Sequence, residues 1–168
     1  MIVLGIDVGA WGAVATLTAC GELIDAFDKP SLNDGPAGRR AINGPLLAEL
    51  VANAHAGRAY VELVGARPGE GAVGAFAFGR SRGVIEGVVA ALAVPATHIA
   101  PAVWKRLVGF PAGREGAKDA ARSEAIRRWP NRAALFARKR DDGRAEAALI
   151  AMACLKRYRL TEVGGGSK

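Results

Sequence analysis

Apolar residues open the chain in three short alternating runs, Ile2–Val8, Gly12–Thr18 and Glu22–Phe27, joined by glycine-bearing links (Gly9 to Trp11, Ala19 to Gly21). Alternation of this length with links this short predicts three strands in an antiparallel meander. The stretch from Lys29 to Arg40 is rich in Pro, Gly, Asn and Asp and predicts a surface loop. Asn43 as a cap with Pro45 in the first turn, followed by Leu47, Leu50, Val51 and Ala54 at helical spacing, predicts a helix to about His55. Arg58–Val64 is a fourth strand, and the glycine-rich stretch from Gly65 to Gly74 predicts a mobile loop. From about Ala75 to Leu92, Val84, Ile85, Val88, Val89 and Leu92 mark a helix. Ala96–Ala100 is a fifth strand. Helices follow from Trp104, over Lys118–Trp129 and over Gly143–Tyr158, the last apolar almost all round and so buried.

This order, antiparallel strands first and strand–helix alternation afterwards, predicts an α/β domain built on a mixed five-stranded sheet flanked by helices. Residues 1–160 form one domain in this reading, and 161–168 a flexible Gly-rich tail. Gly79, Gly83 and Gly87 recur every fourth residue on one stripe of the second predicted helix. Each costs up to about 1 kcal/mol of helix propensity. The stripe therefore predicts close approach by another backbone, from within the fold or from a second subunit.

At 168 residues the chain is long enough for one core and too short for two full domains. No uninterrupted apolar run approaches the eighteen or so residues of a membrane span. The chain enters its first strand without a basic region or cleavage site, so a cytoplasmic protein is expected, with Cys20 and Cys154 as reduced thiols. Charge changes the picture more. The chain carries +7, and residues 101–140 hold eleven Lys or Arg against three acids, leaving the remainder near −1. A positive field confined to a quarter of the chain points to a polyanion, with nucleic acid favoured over an Arg-rich solvated helix.

The candidate chemistry lies in carboxylates. Asp7 and Glu62 each stand as the sole acid in an apolar strand, and the first and fourth strands can lie side by side. Asp141 and Asp142 precede Glu146 at the start of the last helix. Asp142 and Glu146 are separated by about 40° around a helix and Asp141 and Glu146 by about 140°. Asp142 is thus the better partner, although either aspartate also suits a helix N-terminus. Carboxylates without neighbouring His or Cys match Mg²⁺ or Mn²⁺, not zinc. Two such ions would activate a water and stabilise the leaving oxygen in phosphodiester hydrolysis.

Four segments, Gly5-Ile6-Asp7-Val8-Gly9, Tyr60-Val61-Glu62, Phe78 to Val84 and Arg144 to Ala151, appear in the order found in RuvC-type Holliday junction resolvases. The chain resembles that family from Met1 to about Tyr158, and looks most like its compact phage and prophage versions. The resemblance implies an RNase H-like fold, a homodimer and paired Mg²⁺-dependent nicks in a four-way DNA junction, with two ions per active site and Mn²⁺ as a substitute. It makes Asp7, Glu62 and Glu146 the catalytic and metal-binding acids. The family usually places a further ligand three residues before the last acid, where this chain has Gly143; Asp142 takes that role here. The family also carries an aromatic soon after the second acid that stacks on opened bases. The loop from Leu63 to Gly69 has none, and Phe76 and Phe78 are better read as core.

Lys105 and Lys118 stand where the resemblance puts DNA-contacting lysines. Arg67 in the loop after the second acid, Arg80 and Arg82 beside the glycine stripe, and Arg138, Lys139 and Arg140 before the acids complete the candidate DNA contacts. His55 and His98 lack metal-ligand spacing and are read as structural. A strand-Asp-x-Gly start is also found in sugar kinases, actin and Hsp70, but those need two domains; nor is there a P-loop, so no nucleotide cofactor is expected. Two alternatives stay open: a nuclease of the same fold acting on other branched DNA or RNA–DNA hybrid, and a branched-DNA-binding module that does not cut.

Overall fold

The structure, a computed structural model, describes residues 1–9, 11–35, 40–65, 69, 71–110 and 117–164, leaving aside the side chains of 117, 118 and 160–164. The first strand, β1 (Ile2–Ile6), is the centre of a five-stranded sheet. β2 (Ala13–Thr18) pairs with it antiparallel and β3 (Leu23–Asp28) pairs antiparallel with β2. This is the predicted meander.

The stretch read as a loop holds a small separate ribbon instead, β4 (Ser31–Asn33) against β5 (Arg40–Ile42). Three-residue strands are too short for periodicity to reveal. Helix α1 (Gly44–Asn53) starts as predicted, with the Asn43 side chain accepting from the Leu46 N–H at 3.2 Å. β6 (Arg58–Glu62) then lies parallel to β1 on its other side. Helix α2 (Ala72–Ala91) follows, and β7 (Ala96–Ile99) extends the sheet parallel to β6. The order is β3-β2-β1-β6-β7, a mixed sheet of the predicted kind. α2 starts at Ala72, inside the segment read as a mobile loop.

Helix α3 (Pro101–Val108) begins three residues before the predicted start because Pro101, with its fixed φ, occupies the first turn. Trp104 is therefore an interior residue with no exposed surface. Helix α4 (Ala117–Arg128) gives way to 3₁₀ turns over Pro130–Phe136 and Lys139–Asp141. Helix α5 (Asp142–Gly164) closes the described chain and runs into the segment expected as a tail.

Strand alternation sorts the two cores. Leu4, Ile6, Val14 and Val61 pack with Leu47 and Val51 of α1 and Ile85 and Val89 of α2. Val3, Ala13, Ala15 and Tyr60 pack on the opposite face beneath α5 with α3 and α4. The second face has one very close contact. A Cβ on Gly5 would lie 2.1 Å from the Ala147 carbonyl oxygen and 2.3 Å from the Ala151 nitrogen, so helix backbone rests directly on strand backbone. On the outer side of α2, added Cβ atoms at Gly79, Gly83 and Gly87 would meet nothing within 4 Å. Of the two sources considered for the glycine stripe, an approach from within the described fold is therefore ruled out. Cys20 is exposed and Cys154 buried, both free thiols. No described helix is long and apolar enough to cross a membrane.

Candidate metal centre and nucleic-acid surface

Odd-numbered residues of β1 and even-numbered residues of β6 face α5. Asp7 follows β1 by one residue, and the parallel register Ile6–Val61 brings Glu62 beside it. The first residues of α5 close over the same end of the sheet. Asp7 and Glu62 are only 5% and 7% exposed.

Electrostatic coupling shows which acids meet. Burial raises the Asp7 pKa; the Gly9 N–H, 2.8 Å from Oδ1, and Lys29 oppose this, while Asp142 adds to it. Glu62 is pushed up to about 7 by burial and by Asp7. Glu146 reaches about 7 through burial, then Asp7 and Glu62, with a further contribution from Asp142. Four carboxylates from two strands and a helix thus crowd one region. Among the described residues, no three His, Cys, Asp or Glu side chains already form a cage around a common point. The donor set itself fits a hard divalent cation: it is all oxygen, without imidazole or thiolate, and burial raises Asp7, Glu62 and Glu146, a cost that a bound cation offsets.

The choice between Asp141 and Asp142 has a structural answer. Asp141 is fully buried and tied to Arg138, accepting from its backbone N–H at 2.8 Å and from its guanidinium at 2.8 and 3.1 Å. Burial works against the Asp141 charge, but these bonds prevail and its pKa is lowered. Asp141 is a helix-start clasp, and Asp142 is the acid whose charge reaches Asp7 and Glu146. Gly143 also has a physical reason. A Cβ there would lie 2.3 Å from the Trp11 carbonyl oxygen and 3.4 Å from Asp7 Oδ2, so the turn after β1 leaves no room for a side chain. The neighbouring Arg144 forms a paired contact with Asp28 at 2.7 and 2.8 Å, anchoring the start of α5 to the end of β3.

Two contributors escaped the sequence reading. Trp104, on α3, donates its indole N–H to Glu62 Oε1 at 2.9 Å in a buried contact, which fixes one carboxylate oxygen. Its only sequence signal was Pro101 three residues earlier. Trp104→Phe keeps the buried ring and removes the donor; if these acids hold Mg²⁺, its affinity by calorimetry should fall roughly 10–100-fold with folding intact by circular dichroism. Unchanged Mg²⁺ affinity would remove the positioning role. Lys29 is the second. Its ammonium donates to the Gly9 carbonyl at 2.6 Å, and burial draws its pKa down to about 8 against the pull of Asp7 and Glu62. It lay within the segment read as a loop, where nothing marked it.

The basic candidates divide. The Lys105 ammonium lies over the Trp104 and Phe110 rings at 5.3 and 5.9 Å, close enough to act on Glu62 and Glu146. Lys139 and Arg140 are exposed beside the start of α5, while Arg138 is engaged by Asp141. Arg80 pairs with Asp34, and Arg82 with Glu86 at 2.7 Å. The Arg67 position and the Lys118 side chain lie outside the described residues. Phe78 is half-buried against the α1–α2 core as expected. Phe76 is not core but 72% exposed, because it falls on the outer face of α2. Trp11 is 69% exposed on the turn between β1 and β2, with the Arg40 guanidinium 5.6 Å from its ring centre. His98 pairs with Glu86 at 2.7 Å.

No protein-family model and no curated protein matches the chain. Among solved structures, Thermus thermophilus RuvC in complex with a Holliday junction substrate is 16% identical, with a TM-score of 0.65 over 95% of this chain and 96% of that one. A second Thermus thermophilus RuvC structure is 19% identical, with a TM-score of 0.65 over 96% and 97% of the two chains. The chain therefore has the RNase H-like fold of the RuvC resolvases over nearly its whole length.

Proposed function

We propose that this chain is a divalent-metal-dependent endonuclease that resolves four-way DNA junctions by paired nicks from a homodimer. The observation that carries the reading is the convergence of Asp7, Glu62, Asp142 and Glu146 on one end of a sheet whose fold is that of RuvC. Asp7, Glu62, Asp142 and Glu146 would hold two Mg²⁺ ions, with Mn²⁺ as a substitute. Bound there, the ions supply an activated water and stabilise the leaving oxygen. Trp104 orients Glu62, and Arg144 with Asp28 sets the position of the helix that brings Asp142 and Glu146. Lys105, Lys139 and Arg140 contact backbone phosphates, as do Arg67 and Lys118 in the same proposal. Arg80, Arg82 and Arg138 reach DNA only by exchanging the carboxylates they now hold.

The deciding experiment is cleavage of a labelled four-way junction beside duplex, flap and RNA–DNA hybrid, with Mg²⁺ and with chelator. Symmetric nicks in the junction alone, lost with chelator, support the reading. Preferential cutting of another substrate keeps the nuclease and retires the junction. Binding without cleavage under any divalent ion turns the chain into a recognition module.

The acid cluster predicts a linked dependence on pH and metal. Glu62 and Glu146 stand near 7 in the folded chain against an ordinary 4.5, so between these values the folded state binds more protons than the unfolded one. Stability contributed by their protonation is therefore lost as pH rises from about 4.5 to 7. Mg²⁺ should raise the melting temperature clearly at pH 8 and little at pH 5. Equal shifts at both pH values would argue against binding at these acids. The open glycine face of α2 is the proposed subunit contact, and Gly83→Leu should yield monomers in sizing experiments; a persisting dimer would refute that placement.

A further inference from the structure

At the opposite end of β6 from Glu62, a cavity of about 130 Å³ opens between β6, β7 and the C-terminal half of α5. Among the described residues its walls are Arg58, Tyr60, Thr97, Cys154, Arg157 and Tyr158, none of them a carboxylate. Arg58 and Tyr60 alternate with their neighbours onto the α5 face of β6, and the strand register sets Thr97 beside Tyr60. The Arg58 guanidinium lies 5.1 Å from the centre of the Tyr158 ring, and its Nε is buried without a hydrogen-bond partner. Stacking on a ring satisfies the face of a guanidinium and none of its N–H donors. Nε itself is closed off, so a ligand in the cavity meets the terminal guanidinium nitrogens, and an oxyanion is the partner that matches their charge and fork of donors.

The other walls suit the same ligand. Burial raises the pKa of the Tyr60 hydroxyl, and Arg157 and Arg58 both act against that rise, which sets the two positive charges near it. The Cys154 thiol is pushed up to about 12, so it is a neutral wall and not a nucleophile. The volume is ample for one tetrahedral oxyanion. We propose that this cavity binds one phosphate group, gripped by Arg58 with the Tyr60 and Thr97 hydroxyls as further donors. Arg58 and Glu62 are four strand residues apart, about 13 Å, so the site is separate from the acid cluster. Two sources share this chemistry: free phosphate, and a backbone phosphate of nucleic acid.

Calorimetric titration of the full chain with inorganic phosphate, at fixed ionic strength in chloride and without divalent ions, tests the site. Saturable one-to-one binding is expected, weakened at least tenfold in Arg58→Met and several-fold in Thr97→Val. The second variant decides the matter if the first fails to fold by circular dichroism. Binding of a labelled duplex by the same variants separates the sources. Unchanged duplex affinity identifies free phosphate. Reduced affinity with a salt dependence shallower by about one counterion identifies a backbone phosphate. Absence of saturable phosphate binding, or equal phosphate affinity in the wild type and the folded variants, overturns the proposal.

Discussion

Replacing Asp7 with Asn should lower junction cleavage at least about a thousandfold, roughly 4 kcal/mol of transition-state stabilisation, while junction binding survives. The substitution keeps the shape and the acceptor for the Gly9 N–H but removes the charge that couples to Glu62 and Glu146. Asp7 is the residue through which the cluster communicates, since its charge raises both Glu62 and Glu146. Removing it should also relieve repulsion, so Asp7→Asn should melt higher than the native protein when metal is absent and respond less to Mg²⁺. Cleavage assays and paired melting curves check both halves. A variant that cuts within tenfold of the native rate would show that the reaction does not run through this cluster.

Gly5→Ala should be the most damaging small substitution in the sheet. Its Cβ would fall 2.1 Å from one backbone atom of α5 and 2.3 Å from another, and backbone cannot rotate away as a side chain can. Relief requires α5 to lift from β1 along its contact with the buried core. A cost of about 3 kcal/mol or more is expected, and for a domain of this size that lowers the melting temperature by roughly 10 °C. The same lift would carry Asp142 and Glu146 away from Asp7 and Glu62, so metal-dependent activity should fall beyond what the unfolded fraction explains. A melting temperature within about 2 °C of the native value would show that helix and strand have room to part.

The two features behind these predictions were not equally legible in the sequence. Asp7 and Glu62 stood out because a lone carboxylate in an apolar strand is expensive without a partner, and strand alternation told which residues share their face. Helical geometry favoured Asp142 over Asp141, but the reason Asp141 is excluded, its clasp on Arg138, is a tertiary detail that spacing does not carry. Gly5 was visible only as part of a motif; its role depends on where α5 lands. Lys29 and Trp104 were missed for the same cause. One reaches the site from the end of the meander and the other from a helix beyond β7, and neither distance in sequence predicts the meeting. The ribbon of β4 and β5 failed for a different reason, being shorter than the window over which alternation can be read.

The backbone contacts of α5 have a consequence for how this chain can change. The helix touches the sheet layer through bare backbone at two places, at Gly5 beneath Ala147 and Ala151 and at Gly143 against the Trp11 carbonyl. Those seats lie on either side of Glu146 in sequence and act as two dowels for one beam. Sliding or rolling the helix would have to clear both. The separation between the acids of the helix and those of the strands is thereby gauged by main chain, not by the fit of apolar side chains. Large-to-small exchanges elsewhere under α5 can then erode stability without retuning that gauge, leaving the surrounding core free to drift while the spacing of the carboxylates stays set.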